Sequence, residues 1–200
     1  MANHWKEAKY KGAETLEGNY LNSEWKKRHL KFFQRSINNL FELPERKLNV
    51  VEIGCNLAGN LRMMCDNYDC DVTGFDINKE AIDKNKIHFP EGNFKECDMR
   101  TENPFKFTPD NYFDLGFSTG FLMHIPKGKE KTFIIKEFIR VCKRVLIYEM
   151  GKHETKTEYS TKDEWIVTYE DYCKYSKLIK RCEWSDEKIT DLNLFYVNKE

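Results

Sequence analysis

Two hydrophobic periods alternate along this chain. From Ser23 onward, Trp25, Leu30, Phe33, Ile37, Leu40 and Phe41 recur at roughly helical spacing, with basic residues on the other face, until Pro44 stops the run. That pattern predicts a helix packed beside a sheet, with the Lys26-Lys27-Arg28 cluster on its solvated face. From Leu48 the period changes. Strands are predicted over 48–53, 71–76, 93–97, 112–118 and 145–150, alternating with helices over 58–68, 78–88 and 127–144. Pro90 and Gly92 break the chain before the third strand, and Phe133, Ile134, Phe138 and Val141 mark the buried side of the last of these helices. A polar loop follows, then a helix around 163–175 and two final strands, 178–183 and 192–197. Residues 1 to about 22, with His4, Trp5, Tyr10 and Tyr20, show no clear period and read as an irregular arm or short helix able to fold over a ligand. The strand–helix alternation predicts an α/β protein: a doubly wound, seven-stranded, mostly parallel sheet with an N-terminal helical extension.

At 200 residues the chain has the length of one such core, and no internal repeat, low-complexity tract or linker divides it. A single domain over 1–200 is expected, with an arm and helix over 1–47, a ligand-binding core over 48–150 and C-terminal helix and strands over 151–200. Lys plus Arg and Asp plus Glu number 33 each, so no global field draws the protein to nucleic acid or to an anionic membrane. No apolar run approaches the ~20 residues that cross a bilayer. The seven cysteines, 55, 65, 70, 97, 142, 173 and 182, are odd in number and form no Cys-x-x-Cys pair, and the chain opens on no basic-then-apolar leader. Reduced thiols in a cytoplasmic protein are therefore expected.

The chemistry concentrates where the first strand ends, in Val50-Val51-Glu52-Ile53-Gly54-Cys55-Asn56-Leu57-Ala58-Gly59-Asn60-Leu61. Gly54 lets the backbone turn, and the small Ala58 and Gly59 let main chain approach a ligand. Read blandly, this is a tight strand-to-helix turn. Glu52 is the unusual member. A dinucleotide loop packs a pyrophosphate against a helix N-terminus, where an adjacent carboxylate would repel it. A carboxylate two residues before the glycine instead suits a cationic ligand, and S-adenosylmethionine, with its ammonium and sulfonium, fits. About 20 residues further on, the second strand ends in Asp76, placed to accept hydrogen bonds from ribose hydroxyls or to cap the next helix, for which Asn78 is better situated.

On these residues the chain resembles the class I S-adenosylmethionine-dependent methyltransferases, whose first motif reads acidic-x-Gly-x-Gly-x-Gly. Asn56 stands at the second glycine, Ala58 at the third, and Gly59 one place late. The resemblance covers about 48–150. It implies a Rossmann-like methyltransferase fold with Glu52, Gly54, Cys55, Asn56, Ala58 and Gly59 at the cofactor, Asp76 on the ribose and Ile77 against the adenine. It further implies Asp98 on the adenine amine, the Met99 amide on a ring nitrogen, and Ser118 and Thr119 facing the methionine part beside Gly120. Within that superfamily, Glu52-Ile53-Gly54-Cys55-Asn56 and Thr119-Gly120-Phe121-Leu122-Met123-His124-Ile125-Pro126 are similar to methylases associated with pseudaminic acid biosynthesis. This implies a small-molecule substrate, an O or N acceptor in the sugar or sugar-nucleotide class.

Methyl transfer from a sulfonium is an in-line displacement that positioning can largely catalyse, without a metal. His4, His29, His88, His124 and His153 show no spacing with Cys or carboxylate that would make a ligand set. For an acceptor that must lose a proton, His124 is the first candidate base and Glu149, beside Tyr148, the second. His124 can equally be a helix-start histidine, and Glu149 a carboxylate at the mouth of the cleft. A nicotinamide oxidoreductase is disfavoured by length and by Glu52. A nucleic acid amino-methylase is disfavoured because Ser118-Thr119-Gly120-Phe121 replaces Asn/Asp-Pro-Pro-aromatic. The rival from another class is a non-catalytic cofactor-binding module that regulates a partner.

Overall fold

The computed structural model describes residues 24–150, 174, 176–181 and 192–200. The arm over 1–22, most of the helix expected at 163–175 with Trp165, Tyr169 and Tyr172, and Glu183 of the sixth strand lie outside the described residues. The fold divides into two compact units, one ending at Asp98 and the other beginning at Met99.

In the first unit α1 (Glu24–Leu40) precedes β1 (Leu48–Ile53), α2 (Gly59–Asn67), β2 (Cys70–Asp76), α3 (Lys79–His88) and β3 (Asn93–Glu96). Phe33 and Ile37 are wholly buried on the apolar stripe of α1, as the helical spacing requires. Gln34 of this helix donates to Asn67 Oδ1 at the end of α2 at 2.5 Å. The strands run parallel in the order β3-β2-β1. Strand β1 is buried at five of six positions, the near-continuous apolar run of a strand covered on both faces. Its register sets Ile53 opposite Phe75, so β1 ends one residue short of Asp76. The amides of Gly54 and Cys55 then both donate to Phe75 O, at 2.8 and 3.0 Å, which folds the chain leaving β1 back against the end of β2.

The second unit holds β4 (Phe113–Thr119), a 3-10 turn (Leu122–His124), α4 (Lys129–Val141), β5 (Cys142–Met150), β6 (Lys180–Arg181) and β7 (Leu192–Asn198). Strands β4 and β5 are parallel, whereas β7 runs antiparallel to both β5 and β6, in the order β4-β5-β7-β6. Seven strands are thus described, in a mixed, mostly parallel α/β arrangement. The expected helix over 127–144 is shorter than its hydrophobic period suggests, and the fifth strand begins three residues early. Helix gives way to strand with no loop between, because Cys142 is already extended and registers with Phe113. Its sulfur occupies the space at Gly116, where a Cβ would lie 2.4 Å from Cys142 Sγ. Lys143 Nζ meets the buried Asp114 carboxylate at 2.9 Å and fixes the next residue in the strand. The core of this unit is Leu115, Phe117, Ile135, Phe138, Val141, Val145, Leu146 and Val197, all fully buried.

Candidate functional site

In the first unit the loop from β1 to α2 has an unusual backbone. Gly54, Asn56 and Ala58 have φ of 72°, 45° and 56°. These are the three positions that the acidic-x-Gly-x-Gly-x-Gly pattern assigns to glycine, and all three are left-handed. Such a conformation costs an L-residue about 1–2 kcal/mol, with Asn the most tolerant after glycine. Neighbouring side chains hold it. The Asn56 amide donates to Asp76 Oδ2 at 2.8 Å, and Asn85 Nδ2 of α3 donates to Asn56 O at 2.6 Å. Ala58 is fully buried as the N-cap of α2, donates to Cys55 O at 2.8 Å and supplies no side-chain cap to the helix amides.

Glu52 is buried, and its Oε1 accepts from Asn60 Nδ2 at 2.6 Å. Since Asn60 sits in the first turn of α2, this bond ties the end of β1 to the start of the helix across the whole loop. Cys55 is buried between these acids. Burial first, then the charges of Asp76 and Glu52, push its thiol pKa well above the ordinary value, which makes it a packing group rather than a nucleophile.

Asp76 receives one backbone amide on each oxygen, Asn56 on Oδ2 and Asn78 on Oδ1, both at 2.8 Å. The capping role goes to Asn78, whose Oδ1 accepts from Ala81 N at 3.1 Å. Burial raises the Asp76 carboxyl pKa, and the amides of Asn78, Asn56 and Ile77 oppose the rise. Each carboxylate oxygen carries two lone pairs, so one amide apiece leaves acceptor capacity for hydroxyl groups. The Cys97 amide donates to Asp76 O at 2.8 Å and brings the end of β3 alongside. Ile77 and Asp98, both half-buried, lie one and two residues past the ends of β2 and β3.

In the second unit the chain after β4 is organised by Glu149. Thr119 registers with Tyr148, and the Gly120 amide donates to Tyr148 O at 2.9 Å. Gly120 is left-handed, with φ 62°, and a Cβ there would have no atom within 4 Å, so open space faces it. Glu149, buried, accepts on Oε1 from Ser118 Oγ and Phe121 N at 3.1 Å each and from Leu122 N at 2.9 Å. Its Oε2 accepts from Met123 N at 3.1 Å. Burial raises its pKa, countered by the Leu122 and Met123 amides, the charge of the buried Lys131 and the Ser118 hydroxyl. These contacts turn the carboxylate toward the backbone of 121–123. His124, half-buried, closes the 3-10 turn, its amide donating to Phe121 O at 2.9 Å.

The structure therefore brings Gly54, Cys55, Asn56, Ala58 and Asp76 together, ties Glu52 to them through Asn60, and places Gly59 as the first residue of α2. Ser118, Thr119, His124 and Glu149 lie on the other unit, as does the buried Met99. Reading the sequence missed Asn85 and Lys131 as contributors. Both are polar residues on an otherwise apolar helix stripe, Asn85 with Ala81 and Ile82, Lys131 with Ile134, Ile135 and Phe138. Among the described residues the five cysteines are free, no three His, Cys, Asp or Glu side chains form a metal set, and no helix is long and apolar enough to cross a membrane.

Residues 50–145, which carry both the loop and the segment after β4, match the family model of a methyltransferase domain. A 24-methylenesterol C-methyltransferase of Arabidopsis thaliana is 26% identical over 117 residues, covering 58% of this chain and 32% of that protein, so the chain matches about a third of its relative's length. Among solved structures, the PH0226 protein of Pyrococcus horikoshii OT3 superposes with a TM-score of 0.66 at 14% identity, over 96% of this chain and all of that one. Phosphoethanolamine N-methyltransferase 2 of Haemonchus contortus, solved with S-adenosyl-L-methionine, gives 0.61 at 15% identity, over 84% of this chain and 53% of that one. The fold is the Rossmann-like α/β fold that these solved structures share.

Proposed function

We propose that this chain is an S-adenosylmethionine-dependent methyltransferase that methylates an oxygen or nitrogen of a small molecule in the sugar or sugar-nucleotide class. The observation that carries this reading is the loop after β1. It keeps a left-handed backbone at all three glycine positions of the motif although two of them are not glycine, and it closes on the carboxylate of Asp76. The rival reading, a non-catalytic cofactor-binding module, drew its strength from those two departures. A loop that holds the motif's backbone in spite of them supports cofactor binding, which both readings share, and methyl transfer separates the two.

The residues fit the group. S-adenosylmethionine, when bound, supplies a sulfonium-borne methyl as the electrophile. Asp76 would hold the ribose hydroxyls on the acceptor capacity that the Asn56 and Asn78 amides leave. The left-handed loop would let main chain approach the methionine part, and the first-turn amides of α2, which Ala58 does not cap, would favour its carboxylate. Ile77 would lie against the adenine and Asp98 would read its edge, as the resemblance implies; Met99, Ser118 and Thr119, which the same resemblance assigns to the cofactor, lie on the other unit. His124 takes the proton of the acceptor, and exclusion of water with near-attack positioning supplies the rest of the rate. The acceptor class comes from the similarity of 52–56 and 119–126 to the methylases of pseudaminic acid biosynthesis.

The test is S-adenosylhomocysteine release from S-adenosylmethionine across a panel of nucleotide sugars, amines and carboxylates. Release with a sugar or nucleotide sugar is the expected result. Tight cofactor binding with no product from any acceptor would favour the binding module.

A further inference from the structure

We propose that Asn85 is a positioning residue for cofactor binding, holding Asn56 in the left-handed conformation that a glycine at that motif position would adopt unaided. The proposal rests on reading the loop after β1 as the adenosylmethionine site. Asn85 lies on α3, wholly buried, and reaches 29 residues back along the chain to donate its Nδ2 to Asn56 O at 2.6 Å. The amide on the other side of the same Cα is held by Asp76 Oδ2 at 2.8 Å. With its N–H and its C=O both fixed by side chains from the β2–α3 segment, neither φ nor ψ of Asn56 is free to relax. The bond from the Asn56 amide ties the loop to the carboxylate that is to hold the ribose, so a loosened Asn56 would also free one oxygen of Asp76.

The cost of this arrangement argues for a role beyond packing. Asn85 Oδ1 is buried without a hydrogen-bond partner. A buried acceptor left unsatisfied is destabilising, and an apolar side chain of similar size among Ala81 and Ile82 would not carry that cost. The amide orientation is not arbitrary, because turning it over would set Oδ1 against the Asn56 carbonyl. What Asn85 provides is one bond to one loop carbonyl. That bond is useful where the residue it holds is in a conformation an L-residue resists.

The experiment is a double-mutant cycle read by calorimetric titration with S-adenosylhomocysteine, using the full chain as wild type, Asn85→Leu, Asn56→Gly and the double variant. Asn85→Leu is expected to weaken binding by about tenfold with the melting temperature equal to or above wild type. In the Asn56→Gly background the same change is expected to have little effect, since glycine reaches positive φ without help. An equal loss in both backgrounds, or no loss in either, would overturn the proposal. Asn85→Ala is read in the same way should the leucine variant fail to fold. Hydrogen exchange of the Asn56 amide tests the clamp without ligand: faster exchange in Asn85→Leu supports it, and an unchanged rate overturns it. If wild type binds no S-adenosylhomocysteine, the functional reading fails, while the exchange result still decides whether Asn85 holds the loop.

Discussion

Replacing Glu149 by glutamine removes one oxygen from a group whose two oxygens receive four donors. Three of them, Ser118 Oγ, Phe121 N and Leu122 N, converge on Oε1, and Met123 N alone meets Oε2. The best placement of the new amide keeps the three donors on its oxygen and turns its NH2 toward the Met123 N–H. One hydrogen bond is lost and a buried donor is left facing another donor, a cost of about 1–3 kcal/mol. The three remaining bonds lose their charge assistance, and Lys131 loses a favourable charge. Against this, burial holds the carboxyl pKa above its usual range, so removing the charge returns part of its desolvation cost. The balance is a loss of about 2 kcal/mol, which for a chain of this length lowers the melting temperature by roughly 4–8 °C. Thermal unfolding at neutral pH measures the loss, and hydrogen exchange locates it at the amides of Phe121, Leu122 and Met123. A variant that melts with wild type and exchanges at wild-type rates would refute the reasoning. If that same variant had lost turnover, the carboxylate would return to the role of general base.

Asp76→Ala is expected to weaken S-adenosylhomocysteine binding by about tenfold or more and, because two backbone amides lose their acceptor, to lower the melting temperature as well. Its raised pKa gives a pH signature. In the free protein this group's contribution to stability is present below its unfolded value and is lost as pH rises through the folded one. Cofactor affinity through the carboxylate runs the other way, weakening as pH falls through that raised range above 3.8, and titrations of Asp76→Asn should lack this step. His124→Ala is expected to lower turnover by ~10²-fold with cofactor affinity unchanged. A lower melting temperature with normal turnover per folded molecule would make the histidine structural. At Ala58, relief of left-handed strain is offset by loss of a buried methyl and by glycine's chain entropy, so Ala58→Gly is expected to stay within about 1 kcal/mol of wild type in thermal unfolding. Ala58→Val, β-branched and buried at positive φ, is expected to cost ~2 kcal/mol or more, and equal stability of the two variants would contradict the loop conformation.

The elements that position the site were legible because buried parallel strands leave long apolar runs. Residues 48–53 were read to the residue, and the helix after the second strand within one. The junction of α4 and β5 was not legible. Val141, Cys142, Lys143 and Arg144 continue the helical period with no glycine or proline, and what ends the helix is the pairing of Cys142 with a strand nearly thirty positions earlier. The meeting of the loop after Gly54 with Asp76 was readable because the ends of adjacent parallel strands lie side by side. The left-handed backbone at Asn56 and Ala58 was hidden, since only their alignment with glycine positions hints at it. Glu149 stands out in the sequence as a candidate base at a strand end, but its bonds to backbone amides do not. Its partners are 26 to 31 residues away, and no local pattern announces a carboxylate that gathers backbone amides. Asn85 and Lys131 left a signal that went unused, a polar residue on an apolar stripe, which marks a buried group with a task.

Calorimetric titration of the full chain with S-adenosylhomocysteine and, separately, with NAD decides whether the loop after β1 takes adenosylmethionine or a dinucleotide. S-adenosylhomocysteine is expected to bind and raise the melting temperature, as a ligand specific for the native state must, and NAD, whose pyrophosphate would meet Glu52 close to the loop, to do neither. Binding of NAD without binding of S-adenosylhomocysteine would contradict this expectation.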